Sequence, residues 1–254
     1  MSFSAAWLDL REPADRAARD PALLAAASAA LGPGLALDLG CGTGAMARAL
    51  PAAARWRLLD RDPDLLRIAA TRLPGAALVR ADLADPPPLD GVRLVTLSAL
   101  LDLMPRAWIE RLADRLAAAR VAAYACLSYD GRIAWSPPLA EDAPVLRAFN
   151  RHQRRDKGLG PALGPEAGPA FAAALAARGH VVRTASSPWR LGPDQAPLQA
   201  ALIEGIAQAA TEAGHSAAGW ARSRLAAIGS ATVGHLDMLA LPSTQSKITS
   251  LPSP

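Results

Sequence analysis

The stretch Leu35-Ala-Leu-Asp-Leu-Gly-Cys-Gly-Thr-Gly44 decides how this chain is read. A short apolar run empties into three alternating glycines, and Ala45-Met-Ala-Arg-Ala-Leu50 follows as a helix former. Glycine carries no Cβ and reaches backbone angles closed to other residues. A ligand can therefore approach the exposed N–H groups of such a strand–turn–helix. A second run, Trp56-Arg-Leu-Leu59, ends in Asp60. It stands about twenty residues beyond the first glycine, where a carboxylate can accept from the two hydroxyls of a ribose. Together they point to a nucleoside-containing cofactor.

Outward from this turn, Asp20-Pro21 and Asp62-Pro63 each set a capping carboxylate before a proline at the first helical position. Helices are predicted over 12–30, restarting at Pro21, and over 64–72. Strands are predicted at 35–39, 56–59, 77–80, 92–98 and 121–128. Between the last two lies a helix over 105–119, with Trp108, Ile109, Leu112 and Leu116 at helical spacing. Further helices are expected at 171–178, 198–213 and 217–228, and further strands at 181–184 and 232–241. Strands alternating with helices imply parallel βαβ units. The expected fold is α/β: a Rossmann-like, doubly wound, mostly parallel seven-stranded sheet with helices on both faces. Residues 129–168, rich in proline, glycine and charge, read as an insertion after strand five.

Composition narrows the function classes. The 254 residues are 51% hydrophobic and 20% charged, ordinary globular material. The net charge of +4 rests almost wholly on arginine, with Lys157 and Lys247 the only lysines, and the basic groups are interspersed with acids. No basic run interleaved with aromatics argues for a nucleic acid. Cys41 and Cys126 make no ligand-spaced cluster, so no metal site and no disulfide framework is expected. With no signal-peptide pattern and no apolar run long enough to span a bilayer, a cytoplasmic protein without membrane contact is expected.

The glycine pattern leaves two cofactors open. Gly40-Cys-Gly-Thr-Gly-Ala45 fits a dinucleotide fingerprint, and equally a turn preceded by an acid, Asp38. A carboxylate there suits a positive amino group and would repel a pyrophosphate. Asp82-Leu83, after the third strand, is set for an adenine, with Asp82 accepting from its amine. Cys41 occupies a small-residue position in a tight turn.

The runs Asp38-Leu-Gly-Cys-Gly-Thr-Gly44, Leu59-Asp60-Arg-Asp-Pro-Asp-Leu-Leu66, Val79-Arg-Ala-Asp-Leu83 and Leu94-Val-Thr-Leu-Ser-Ala-Leu-Leu-Asp-Leu-Met104 resemble class I S-adenosylmethionine-dependent methyltransferases. The resemblance covers the order of elements over about 20–241 and implies an antiparallel last strand. It implies S-adenosyl-L-methionine as cofactor and methyl transfer to a small-molecule acceptor by in-line displacement. Gly40, Cys41, Gly42 and Gly44 would line the methionyl part and ribose. Asp38 would face the amino group, and Asp60 with Arg61 the ribose. Asp82 and Leu83 would face the adenine, and Ser98 would sit beside the methyl. The alternatives are an NAD(P)-dependent oxidoreductase and a non-catalytic cofactor-binding partner.

The division expected is 1–34 as an N-terminal helical lid, 35–241 as the methyltransferase core with 129–168 as its substrate region, and 242–254 as a disordered tail. Open α/β sheets bind ligands at the carboxyl ends of their strands. Asp102, Tyr129 and His152 are therefore the candidates to orient or deprotonate an acceptor. Trp135, Asn150, Gln153, Asp156 and Lys157 are further contacts within reach. The basic stretch Arg147, Arg151, His152, Arg154, Arg155, Lys157 reads as a solvated helix face or as recognition of an acidic substrate. Arg11, Asp15 and Arg19 belong to the lid, and His235 reads as a half-buried strand residue.

Overall fold

The computed structural model describes residues 3–50 and 54–243. Chain order gives α1 (Ala5–Ala18), α2 (Pro21–Leu31), β1 (Leu35–Leu39), α3 (Ala45–Ala49), β2 (Arg55–Asp60), α4 (Pro63–Arg72), β3 (Ala77–Arg80) and β4 (Val92–Ser98). Then come α5 (Arg106–Ala119), β5 (Ala122–Ser136), α6 (Asp142–Gln153), α7 (Ala167–Ala177), β6 (His180–Ser186), β7 (Trp189–Leu191), α8 (Ala196–Glu212), α9 (Ala218–Ala226) and β8 (Ser230–Pro242).

Local chemistry explains the helix starts. The Asp20 carboxylate accepts from the Leu23 N–H, and Asp62 accepts from the Asp64 and Leu65 N–H groups, each with a proline at the first helical position. Trp108, Ile109, Leu112 and Leu116 of α5 are all fully buried, as their spacing predicts.

The strand order is β3-β2-β1-β4-β5-β8-β6, with β7 paired to β8 off this path. The first five strands are parallel, and β8 runs antiparallel to β5, β6 and β7. Among the described residues the sheet thus has eight strands, not seven. The extra one is Trp189–Leu191, too short to carry a period. It is held by Trp189↔Val233 and Leu191↔Ala231 pairing and by burial of both side chains. The fifth strand also outruns its prediction. Residues 129–136, expected in the insertion, continue β5 against β8 from Tyr129↔His235 to Ser136↔Ser230. Pro242, expected in the tail, closes β8, and 244–254 lie outside the described residues.

A buried carboxylate ties the sheet to the helix ahead of it. Asp237 is fully buried in β8, and burial holds its pKa above the usual carboxylate range. Its oxygens accept from the Leu127 N–H at 2.8 Å, the Ser187 hydroxyl at 2.6 Å and the Asp20 N–H at 2.9 Å. Leu127 has a φ of 56°, and the β5–β8 register shifts there. Asp237 satisfies the donor that this bulge turns out of the ladder.

Candidate functional site

The three strand-end aspartates line one cleft at the carboxyl ends of the parallel strands, a cavity of about 200 Å³. Gly40, Cys41, Gly42, Arg61, Leu83 and Ser98 line it too. Gly44 stands behind the turn as the left-handed cap of α3, with φ 81° and the place of its missing Cβ only 2.6 Å from Leu73 Cδ1. Gly42, at φ 53°, donates its N–H to Asp60 Oδ2 at 2.9 Å. The other Asp60 oxygen accepts from the Asp62 N–H at 3.0 Å. The carboxylate is thereby locked in plane, with lone pairs left on both oxygens.

Asp38 is 1% exposed. Its Oδ1 accepts from the Thr96 hydroxyl at 2.7 Å, while its Oδ2 is buried with no partner. Burial pushes its pKa up to about 7. Asp82 Oδ1 accepts from the Ala84 N–H at 2.9 Å, and the Leu83 carbonyl accepts from the Trp108 indole at 2.5 Å. Ser98 Oγ accepts from Arg19 at 3.4 Å. Burial, together with the neighbouring Asp38 and Asp60 charges, raises the Cys41 thiol, which leaves it protonated.

Helix α1 lies across the cleft and contributes Leu8, Arg11 and Asp15 to its wall. Two ion pairs clamp it to the helices beside the turn: Glu12 with Arg48 at 3.1 Å, and Asp9 with Arg72 at 2.6 Å. Arg11 and Asp15 pair at 2.9 Å and turn inward, the guanidinium 5.0 Å from the Trp189 ring and Asp15 accepting from its indole.

A second, larger cavity of about 420 Å³ adjoins the first. Phe3, Arg11, Ala99, Leu103 and Lys157 line both, so they form the boundary. Trp7, Phe149, Trp189, Leu202, Ile206 and Val233 make its walls mostly apolar and aromatic. The three acceptor candidates, Asp102, Tyr129 and His152, all line it, although they come from a 3₁₀ turn, a strand and a helix.

Their surroundings differ. Tyr129 donates to Asn150 Oδ1 at 2.9 Å, Asn150 donates on to the Gly131 carbonyl, and burial raises the phenol. Tyr129 is a protonated wall, edge-on to Phe149 at 5.6 Å. His152 Nε2 lies 2.9 Å from Glu212 Oε2 and its Nδ1 3.4 Å from Lys157 Nζ; burial lowers its pKa. The carboxylate fixes the tautomer with the proton on Nε2. Asp102 Oδ1 is shut from solvent without a partner, and burial pushes its pKa up to about 6.

Other expected contacts fall elsewhere. Trp135 stacks edge-on with Trp220 at 5.4 Å, away from both cavities. Asp156 accepts from the Gly158 and Gly160 N–H groups at the surface. Of the basic stretch, Arg147, Arg151, Arg154 and Arg155 are exposed, and His152 and Lys157 turn inward. His235 is more enclosed than expected, 5% exposed, and it lines the second cavity. Its Nδ1 has no partner, and burial pushes its pKa down to about 4, so it is neutral.

Residues 36–120, from β1 through α5, match a methyltransferase-domain family. That segment is similar to methyltransferase domains. Two solved structures carry the same fold over nearly the whole chain. One is the YcgJ protein of Bacillus subtilis, 14% identical, with a TM-score of 0.53 over 88% of this chain and 99% of that one. The other is the cyclopropane synthase MmaA2 of Mycobacterium tuberculosis, also 14% identical, with a TM-score of 0.53 and 94% of each chain covered. No protein of curated description matches the sequence.

Several residues around the two cavities were not singled out by the sequence. Trp189 lies on a three-residue strand, and Leu202, Ile206 and Glu212 lie on α8, which reads as an ordinary packing helix. Asp237 had a visible signal, as the lone charge in the apolar run from Val233 to Leu241. A charge so placed is buried and must find partners. Among the described residues no cluster suits a metal ion, and no helix is long and apolar enough to cross a membrane.

Proposed function

We propose that this methyltransferase moves the methyl group of S-adenosyl-L-methionine onto a small, largely apolar molecule held in the 420 Å³ cavity. The observation that carries the reading is the shared boundary. An acceptor in the second cavity meets a cofactor in the first across Phe3, Ala99, Leu103 and Lys157.

The residues of the first cleft fit the cofactor. The unpartnered Asp38 Oδ2 suits its ammonium, because a buried carboxylate oxygen without a donor is costly and a cationic donor relieves it. Asp60, already squared by two backbone N–H groups, would take the ribose hydroxyls. Asp82 and Leu83 would face the adenine, and Ser98 the methionyl sulfur. When bound, the cofactor supplies an electrophilic methyl on a sulfonium. The protein's contribution is alignment and exclusion of water. Leu8 and the clamped α1 close the cofactor side, and Trp7 and Phe149 wall the acceptor side. The buried, free cysteines favour a reducing cytoplasm.

Isothermal titration with S-adenosylhomocysteine, followed by incubation of the enzyme with cell extract and radiolabelled methyl donor, tests the reading. Label is expected in the small organic-soluble fraction. Label confined to precipitated protein or nucleic acid would overturn the small-molecule acceptor.

The Asp38 environment adds a pH signature. The ionised carboxylate is the form that binds an ammonium, and its pKa is raised to about 7. Affinity for S-adenosylhomocysteine is expected to rise up to about tenfold per pH unit below that value and to flatten above it. Asp38→Asn should bind more weakly and show no such slope. The sign reverses for stability without ligand. The folded state holds a proton that the unfolded chain releases, so stability falls as pH rises from about 4 to about 7.

A further inference from the structure

Lys157 is a cation without a counter-ion among the described residues, at the boundary between the two cavities. Its ammonium donates to the His152 carbonyl at 3.1 Å and faces His152 Nδ1 at 3.4 Å. An ammonium has three N–H donors, so one is left without an acceptor among the described residues. Asp102 and Glu212 act on it only through space, and no carboxylate of the described residues comes within ion-pair distance. Apart from Asp102, whose Oδ1 has no hydrogen-bond partner among the described residues, the other charges near it are spoken for. Arg11 is held bidentate by Asp15, Glu212 is held by His152 and Gln208, and Arg155 lies exposed outside. His152 and His235, facing the cavity from α6 and β8, are neutral in these surroundings.

The geometry around Lys157 supports a deeper reading of the same acceptor site, and it rests on the methyl-transfer assignment above. We propose that the acceptor is a compact aromatic molecule with an anionic oxygen, a phenolate or a carboxylate, and that Lys157 holds that oxygen at the boundary where it is methylated. The aromatic body fits against Trp7, Phe149 and Trp189, which offer large flat apolar surfaces. The anion supplies the acceptor that the third Lys157 N–H lacks. The step balances without a base. A carboxylic acid enters ionised, and a phenol gives its proton to solvent as its oxygen meets Lys157; the oxygen lone pair then forms the O–CH₃ bond, and the S–CH₃ bond breaks with its electron pair staying on sulfur. His152, buttressed by Glu212, positions Lys157 by accepting from it. The remaining arginines of the basic stretch take no part.

The test is calorimetry with naphthoate, naphthol and the neutral naphthamide, on enzyme saturated with S-adenosylhomocysteine, followed by product analysis with labelled donor. Naphthoate is expected to bind at least roughly tenfold tighter than naphthamide at neutral pH, the value of one charge-assisted hydrogen bond, and naphthol to gain the same advantage only as the pH is raised toward its ionisation. Lys157→Met should erase that preference, Lys157→Arg should retain it, and Arg151→Gln, which removes an equal charge from the exposed helix face, should leave it unchanged. A methyl ester as product identifies a carboxylate acceptor and an aryl methyl ether a phenolate. An anion preference that survives Lys157→Met, or no binding of any of the three by enzyme that does bind S-adenosylhomocysteine, overturns the proposal and leaves the cofactor assignment standing. Failure to bind S-adenosylhomocysteine overturns both.

Discussion

Replacing Asp60 by alanine is expected to weaken binding of S-adenosylhomocysteine by roughly a hundredfold or more, the value of two hydrogen bonds to a charged acceptor. The carboxylate stands at the end of β2 with both oxygens already engaged by backbone, Gly42 at 2.9 Å and Asp62 at 3.0 Å. Those bonds fix its plane before any ligand arrives, so ribose hydroxyls bound there would meet a preorganised acceptor. The alanine variant loses the acceptor and also frees the Gly42 N–H in a turn that depends on positive φ. Asp60→Asn separates the two effects. One amide oxygen still accepts from Gly42, but the charge and one acceptor are gone, so affinity should fall by an intermediate factor with little change in melting temperature. Calorimetric titration of all three proteins, with melting curves beside them, reads this out. Binding by Asp60→Ala within about twofold of the parent would remove Asp60 from the ribose site.

The cleft at the strand ends was legible because each part of it is local. Asp20-Pro21 and Asp62-Pro63 are caps within a tripeptide's reach, and both appear as read. Asp38, Asp60 and Asp82 mark the ends of short parallel strands. Parallel pairing, with Asp38 level with Leu58 in β2 and Asp60 level with Arg80 in β3, brings them to one cleft. The second cavity has no such signal. Its walls come from Trp7, Phe149, Trp189 and Ile206, which only the tertiary fold brings together. β7 is three residues long, below any period, and exists because β8 offers it an edge. The length of β5 was hidden for a related reason. Asp130, Gly131 and Arg132 interrupt its apolar pattern, yet the strand continues because β8 supplies partners on both sides of that irregularity. Buried charge misleads in the same way. Arg224 is 1% exposed and reads in sequence as a surface residue of α9, but it pairs with Asp142 and lies 5.3 Å from the Trp135 ring. Partners that far apart in sequence leave no trace at either position.

The same reasoning predicts that Trp108 is worth more to this enzyme than any single cofactor contact is to stability. Trp108→Ala is expected to lower the unfolding free energy by about 3–5 kcal/mol, the range for deleting a buried aromatic ring. For a chain of this size that is a fall on the order of ten degrees in melting temperature. Trp108 is fully buried in α5 among Leu112 and the β4 core residues, so no solvent can fill the space its ring leaves. It also reaches the cofactor cleft through one bond, its indole N–H donating to the Leu83 carbonyl at 2.5 Å. That bond fixes the segment after β3, where Asp82 and Leu83 line the cleft. Trp108→Phe keeps a six-membered ring in the core and loses the pyrrole portion with its donor. It should cost about 1–3 kcal/mol, because the Leu83 carbonyl is left without its partner. A segment so loosened orders less readily around an adenine, so affinity for S-adenosylhomocysteine should fall by roughly threefold to tenfold in this variant even well below its melting temperature. Scanning calorimetry and ligand titration of the two variants separate packing from positioning. An alanine variant that melts within about three degrees of the parent would contradict the packing account. A phenylalanine variant with unchanged affinity would show that Leu83 needs no anchor from α5 to serve the cofactor.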